Sequence, residues 1–383
     1  MFPPAEFKSR VAKVRAAMAE QGLNALVAVD TGGHMRSGNV RYLTGFVGPI
    51  APHLMVVVVT PKRVALCVQP GLEGSEVKLA RQNPIANDVF STSSGMWEYI
   101  GDKDIKSALD KAKVTGGKVG IDGLNVVTEP IAKAIRAALS GYEMVPQTGI
   151  VEKLRMIKSP AECEAIREAA RLSDIGMKAF IKSIKPGGKV TVSISECEHA
   201  VKKAGAEEGF MFMTPSDKPF MWGNAAGHGT LGETFKEGDM VSCEVNAKYE
   251  GYMGQVARSF VIGKASAEQK RHWEVALSAY KKLASMLKPG AKASEIFLAG
   301  DEVIKKAGYK PISHRNGHGM GLTIAETLNI FETDHTEIRP GQFIVVHINA
   351  PLPEAAVILL GHGFLITETG REELHKMPFK MEI

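Results

Sequence analysis

The first 150 residues alternate between short apolar runs and segments with helical spacing. Residues 7–21 repeat apolar side chains at the spacing of one helix face and are followed by Gly22, which predicts an amphipathic helix and its end. Two apolar runs on either side of a Pro-Lys turn predict a pair of strands. The pattern therefore predicts a small α/β domain over residues 1–150, with strands at 25–29, 54–60, 63–68 and 118–121 and a second helix at 130–139.

Residues 151–383 carry longer helical patterns and separate apolar runs. Ser159, Pro160 and Glu162 have the spacing of a helix start, in which the serine caps the helix and the glutamate bonds back to it. Ser266 and Gln269 repeat the capping spacing. Helices and antiparallel strands in separate segments indicate an α+β domain. Helices are predicted from residue 160 onward and at 190–204, 266–287 and 293–307, and strands within 240–263, 342–350 and 356–369.

Composition and charge exclude several classes of protein. The chain is 44% hydrophobic and 23% charged, and its net charge of +5 is spread without a basic block, so we expect no nucleic-acid partner. The N-terminus has no apolar signal region, and the longest aliphatic run, residues 54–59, is too short to span a bilayer. The four cysteines lack C-x-x-C spacing, which argues against a zinc knuckle or a disulfide framework. We therefore expect a cytoplasmic protein without membrane partners.

Several segments, in order along the chain, resemble the creatinase and Xaa-Pro aminopeptidase superfamily. They are NVRYLTGF at 39–46, LRMIKSPAE at 154–162, GNAAGHG at 223–229, GHGMGL at 317–322 and LITETGREEL at 365–374. The resemblance implies a creatinase-like α/β N-terminal domain over residues 1–150 and an α+β "pita-bread" domain over residues 151–383. It also implies a homodimer.

The resemblance identifies five positions that hold two divalent ions in the metallopeptidases of the superfamily. There the side chains are Asp, Asp, His, Glu and Glu, and here they are Glu244, Gln255, His318, His347 and Gly361. Two cations about 3.5–4 Å apart need anionic oxygens between them. Both bridging carboxylates are absent, so we expect no dinuclear centre, no metal ligands and no cofactor.

The remaining polar residues predict an acid–base site. We expect His228 to be the main proton carrier, because it lies in a glycine-rich segment and resembles the histidine of the metal-free creatinase branch. His318, His347 and Glu244 complete the predicted catalytic group. Gln255, Glu326 and Arg258 are predicted to bind substrate, with structural pairing as the alternative interpretation for these three residues.

This set of residues leaves three functions open. The first is a metal-independent, creatinase-like hydrolase of a small non-peptide C–N substrate, such as an amide, a cyclic amidine or a guanidino compound. The second is a lyase or decarboxylase with one metal ion held by Glu244, His318 and His347. The third is a non-catalytic binding protein. The first is the leading prediction, and it takes the protein to be an enzyme with a small-molecule substrate but not a dinuclear metallopeptidase.

Overall fold

A computed structural model describes residues 2–30, 38–47, 55–68, 74–91, 102–214, 233–311, 314–351 and 357–383. The chain forms two compact units. The first comprises Met1–Arg155 together with Leu322–Ile324, and the second comprises Met156–Gly321 together with Ala325–Ile383. Within the described residues, no helix is both long and apolar enough to cross a membrane.

The first unit is built on a mixed six-stranded sheet with the strand order β4-β3-β2-β1-β5-β6. Strands β1 to β3 are antiparallel neighbours, whereas β4, β5 and β6 pair in parallel with β3, β1 and β5. β1, β2 and β3 are buried along their whole length, as their continuous apolar runs predict. The strands are Ala25–Asp30, Met55–Val59, Val64–Val68, Asp88–Ser91, Lys118–Asp122 and Glu143–Pro146. The helices α1 to α6 are Pro4–Glu20, Asn39–Thr44, Ser75–Ala80, Asp102–Lys111, Glu129–Ala138 and Ile150–Met156.

The second unit carries an antiparallel eight-stranded sheet with the order β11-β10-β12-β13-β9-β8-β7, and β14 pairs with β13. Its strands β7 to β14 are Glu208–Thr214, Met240–Tyr249, Tyr252–Val261, Gly317–Gly319, Glu326–Asn329, Phe343–Pro351, Val357–Ile366 and Arg371–Glu373. The helices α7 to α10 are Pro160–Ser183, Val190–Lys203, Ala267–Met286 and Ala293–Lys306. Each of these helices lies where the sequence predicts one.

Side-chain caps fix the starts of the two longest helices. Ser159 accepts a hydrogen bond from the backbone of Glu162, whose side chain bonds back, and this arrangement starts α7. Ser266 and Gln269 form the same capping box at the start of α9. Both predicted caps are confirmed, and each satisfies backbone N–H groups that a helix start would otherwise leave open.

The strands of the second sheet divide their side chains between two faces. One face packs against the helices: Cys243 and Val245 of β8 join Met177 and Phe180 of α7 in an apolar cluster. We call this the helix face. Successive strand residues point to opposite faces, so Glu244 and its same-face neighbours belong to the other, which we call the site face. β9 approaches α7 closely at Gly254, where an added Cβ would lie 2.4 Å from the backbone nitrogen of Ala170.

Candidate active site on the site face of the second sheet

The register of four strands aligns one row of residues across the site face. Glu244 of β8 opposes Ala257 of β9, Ala257 opposes Gly361 of β13, and Gly361 opposes His347 of β12. Directly opposed residues in antiparallel strands place their side chains on the same face. The row therefore has a large polar side chain at each end and two small residues between them.

Glu244 is held by two amide side chains. Asn246 Nδ2 donates to Glu244 Oε1 at 3.1 Å, and Gln255 Nε2 donates to the same oxygen and, at 3.1 Å, to Asn246 Oδ1. These three side chains are at most 1% exposed. These bonds fix the orientation of the Gln255 amide, because its nitrogen donates to both Glu244 Oε1 and Asn246 Oδ1. Glu244 Oε2 and Gln255 Oε1 are buried without a hydrogen-bond partner among the described residues.

The two predicted histidines of the sheet lie next to each other. The rings of His318 and His347 have centroids 5.3 Å apart. His318 Nδ1 lies 3.0 Å from the carbonyl oxygen of Gly319, which requires that nitrogen to donate and leaves Nε2 as an acceptor. Burial lowers the pKa of His318 to about 3 and the pKa of His347 well below its ordinary value. Both rings are therefore neutral at pH 7, and neither takes up a proton near neutral pH.

Arg315 is a site residue that the sequence analysis missed. Its Nη1 donates to Asn329 Oδ1 at 3.0 Å, and its backbone carbonyl accepts from Asn349 Nδ2 at 3.2 Å. Burial lowers the pKa of Arg315, while the negative charge of Glu244 opposes that shift, so the two groups lie within electrostatic range. Its Nε is buried without a hydrogen-bond partner in the described part of the chain. In the sequence, its position close to His318 is the feature that could have indicated a place in the site, since it lies two residues before strand β10.

Glu244 is the group whose charge changes near neutral pH. Burial raises its pKa to about 7, and hydrogen bonds from Asn246 and Gln255 and the charge of Arg315 oppose that rise. General acid–base chemistry needs a group that both holds and releases a proton at the working pH. In this set Glu244 meets that requirement, whereas the two buried imidazoles serve as neutral hydrogen-bonding groups.

The structure brings together only some of the predicted residues. Glu244, Gln255, His318 and His347 share the site face, whereas Glu326 is paired with Lys158, whose Nζ lies 3.0 Å from its carboxylate. That ion pair is almost fully buried and holds Glu326 in place. His228 lies outside the described residues, so its predicted role stays a prediction.

Arg258 does not join the group, because it points to the helix face. It opposes Cys243 and stands three residues after Gln255, so the two-residue period of a strand puts it on the opposite side. Its guanidinium donates to the carbonyl of Ala257 at 2.7 Å and of Gly361 at 3.3 Å, and Nη2 lies 2.6 Å from His362 Nε2. These contacts are of the kind that the structural alternative expects, and the predicted role of Arg258 in substrate binding stays a prediction.

Comparison with known proteins identifies the family. Residues 164–368 match the sequence profile described as "Metallopeptidase family M24". That match spans more than half of the 383 residues, and the chain therefore belongs to metallopeptidase family M24. Residues 10–157 match the "Creatinase/Prolidase N-terminal domain".

Relatives and solved structures carry related names. The chain is 25% identical to the putative dipeptidase YkvY of Bacillus subtilis over 346 residues, which cover 89% of this chain and 92% of the relative. It is 30% identical to the Xaa-Pro dipeptidase of Pyrococcus furiosus over 230 residues, or 59% of this chain and 65% of the relative. The solved Xaa-Pro dipeptidase from Bacillus anthracis superposes with a TM-score of 0.82 at 22% identity, covering 98% of this chain and 100% of that one. These matches confirm the predicted fold class, an α/β N-terminal domain followed by a pita-bread domain.

The comparisons contradict the leading functional prediction. A metal-independent hydrolase of a non-peptide substrate does not agree with membership of a metallopeptidase family whose relatives are named as dipeptidases. The prediction that the protein is not a dinuclear metallopeptidase is wrong for the same reason. Those predictions rested on the residue types at five positions and not on similarity along the whole chain.

The family name implies divalent ions, which would activate a water molecule and polarise the scissile carbonyl. The described side chains do not fit two such ions. Gln255 turns its amide nitrogen toward Glu244, and Gly361 has no side chain. A Cβ at Gly361 would lie 2.6 Å from the Cβ of His347. Among the described residues, no group of three or more His, Cys, Asp and Glu side chains could hold a metal ion. We therefore derive no catalytic step through a metal.

The pKa of Glu244 predicts an unusual pH dependence of stability. The folded-state pKa of about 7 lies above the ordinary 4.5, so the folded chain keeps a proton that the unfolded chain releases, and stability falls as pH rises across that window. Glu244→Gln removes the effect. Between pH 5 and pH 8 the wild type should lose about 2–3 kcal/mol of unfolding free energy relative to the variant, measured by urea denaturation. Glu368→Gln, at an exposed site, is the control and should show the same pH dependence of stability as the wild type. If the unfolding free energies of Glu244→Gln and the wild type changed in parallel with pH, the raised pKa would not belong to Glu244.

The contacts of Arg258 predict a structural defect upon its removal. Arg258→Met removes the buried donor to the carbonyls of Ala257 and Gly361, and we expect a loss of about 1–3 kcal/mol in the free energy of unfolding for each carbonyl left without a donor. Arg171→Met removes a half-exposed arginine of α7 and should change stability by about 0.5 kcal/mol or less. If Arg258→Met kept wild-type stability while losing peptide binding, Arg258 would be a substrate residue after all.

Proposed function

We propose that this M24-family protein hydrolyses short peptides, with dipeptides such as Xaa-Pro as the substrate class. The names of its relatives suggest that class. The proposal is supported mainly by the buried polar group of the M24 domain. This group consists of Glu244, Arg315 and the neutral rings of His318 and His347.

The charges of this group match the two ends of a free dipeptide. At neutral pH such a peptide carries an ammonium group and a carboxylate only a few bonds apart. Glu244 offers an acceptor at one side of the group, and Arg315 offers positive charge within electrostatic range of it. Arginine binds carboxylates well because its planar guanidinium presents several donors. The proposal therefore assigns Arg315 to the carboxylate of the peptide.

Release of proline from alanyl-proline tests the proposal directly. The full-length protein is incubated with the peptide in separate reactions with manganese chloride or with a chelator, and free proline is measured over time. Hydrolysis in either reaction supports the proposal, and the comparison reports whether a metal ion takes part. Binding without any release of proline would contradict it. The homodimer, expected from the superfamily resemblance, stays a prediction.

Arg315→Met tests the recognition of the carboxylate. Loss of a charge-assisted hydrogen bond should weaken binding of alanyl-proline about 10-fold or more in isothermal titration calorimetry. Alanyl-prolinamide, which lacks the carboxylate, should bind the variant and the wild type alike. Arg171→Met controls for the loss of an arginine elsewhere. Equal weakening for both peptides would mean that Arg315 supports the site without touching the carboxylate.

A further inference from the structure

The helix face of the second sheet carries a buried arginine, Arg258, whose donors are all in use. The side chain belongs to a residue that is 2% exposed. A guanidinium has five N–H donors, and each of them has an acceptor here. The acceptors are the backbone carbonyls of Ala257, Gly361, Met377 and Pro378 and the ring atom Nε2 of His362. These contacts hold the guanidinium in one orientation.

His362 accepts from this arginine on one ring nitrogen and donates to a carboxylate from the other. Arg258 Nη2 lies 2.6 Å from His362 Nε2. Because a guanidinium can only donate, Nε2 accepts and the ring hydrogen lies on Nδ1. Nδ1 donates to Glu373 Oε1, which also accepts from the hydroxyl of Tyr280 at 3.3 Å. The hydrogen bonds therefore have one direction, from Arg258 through His362 to Glu373, and we call these three residues the relay.

The relay connects the surface of the molecule with the row of residues on the site face. At its outer end the side chain of Glu373 is 49% exposed, whereas that of His362 is 4% exposed. At its inner end Arg258 Nη1 donates to the carbonyl of Ala257 at 2.7 Å and to that of Gly361 at 3.3 Å. These are the two central positions of the row, on β9 and β13. One guanidinium thus fixes the backbone of two neighbouring strands directly behind the site.

We propose that His362 and Glu373 are positioning residues of the candidate site, which act through Arg258 on the backbone of Ala257 and Gly361. The consequence for catalysis rests on the proposed function, whereas the consequence for the geometry of the row does not. A side chain far from the reacting atoms can matter in this way, because a displacement of about 1 Å in a site can cost about 100-fold in rate.

Packing is the competing explanation for His362. Its ring stacks on Phe379 with centroids 4.6 Å apart, and the same Phe379 ring lies 4.3 Å from Arg258 Cζ. His362→Phe keeps an aromatic ring in the stack and removes both hydrogen bonds. His362→Gln gives up the stack and keeps an acceptor and a donor on neighbouring atoms, as a neutral imidazole has. The two substitutions therefore separate packing from hydrogen bonding.

Nitrogen-15 NMR of the histidine rings tests the geometry without any assay of activity. In the full-length wild type at pH 7, His362 should carry its hydrogen on Nδ1. His347 lies opposite Gly361 in the row, so its ring resonances report on the site face. They should shift in His362→Phe and stay near their wild-type positions in His362→Gln. A hydrogen on Nε2 of His362, or a shift in His362→Phe no larger than that in His362→Gln, would overturn the inference.

Cleavage of alanyl-proline tests the consequence for catalysis. His362→Phe should lower kcat about 10- to 100-fold with KM little changed, because the side chain lies on the face of the sheet opposite to the site. His362→Gln should recover most of the loss. If packing alone mattered, the order of the two variants would be reversed. Circular dichroism and urea denaturation establish that each variant is folded before it is assayed.

The outer end of the relay offers a matched pair of variants. Glu373→Met removes the acceptor of His362 and should lower kcat in the same direction. Glu372→Met is the control, because Glu372 is the preceding residue of β14, has a 40% exposed side chain and pairs with Arg167 instead. Equal kcat values for the two variants would overturn the role of Glu373. If His362→Phe does not fold, this pair replaces it in both measurements.

The outcomes separate this inference from the proposed function. If the wild type does not cleave alanyl-proline, the proposed function is wrong, and the histidine spectra alone decide whether the relay positions the row. If the wild type cleaves alanyl-proline and folded His362→Phe keeps its kcat, the relay is wrong and hydrolysis stands.

Discussion

The register between β8, β9, β13 and β12 is the constraint on which the candidate site depends. It sets Glu244 and His347 at the ends of one row, with Ala257 and Gly361 between them. A shift of one residue in β8 or β12 would move Glu244 or His347 to the opposite face of the sheet, which packs against helices. Arg258 stabilises this register from the helix face, because its guanidinium binds the carbonyls of Ala257 and Gly361 on two neighbouring strands.

Burial then decides the chemistry of the residues that the register assembles. It holds His318 and His347 neutral and raises the pKa of Glu244 to about 7. A carboxyl kept partly protonated at neutral pH lowers stability as pH rises, which is the direction opposite to that of an ion-paired carboxylate. The buried carboxyl of Glu244 therefore carries a stability cost that grows as pH rises toward 7.

Family membership and residue chemistry bear on different questions here. Similarity over most of the chain assigns it to the M24 metallopeptidases and overturns the prediction of a non-peptide hydrolase. The five positions carry one carboxylate in place of four, and their arrangement does not fit two divalent ions. The assignment of the peptide carboxylate to Arg315 is a proposal, and binding measurements test it directly.

The sequence by itself determined the four helices of the second unit and the long apolar strands, because helical spacing, capping boxes and apolar runs act over a few neighbouring residues. It did not predict helices α2, α3, α4 and α6 or strands β4, β6 and β7. It also contained the period that puts Arg258 on the helix face, although the prediction overlooked it. Only the tertiary structure revealed Arg315, the pairing of Glu326 with Lys158 and the direction of the Gln255 amide. Those features, and the shifted pKa of Glu244, depend on burial and on contacts between residues far apart in the chain, which no local pattern encodes.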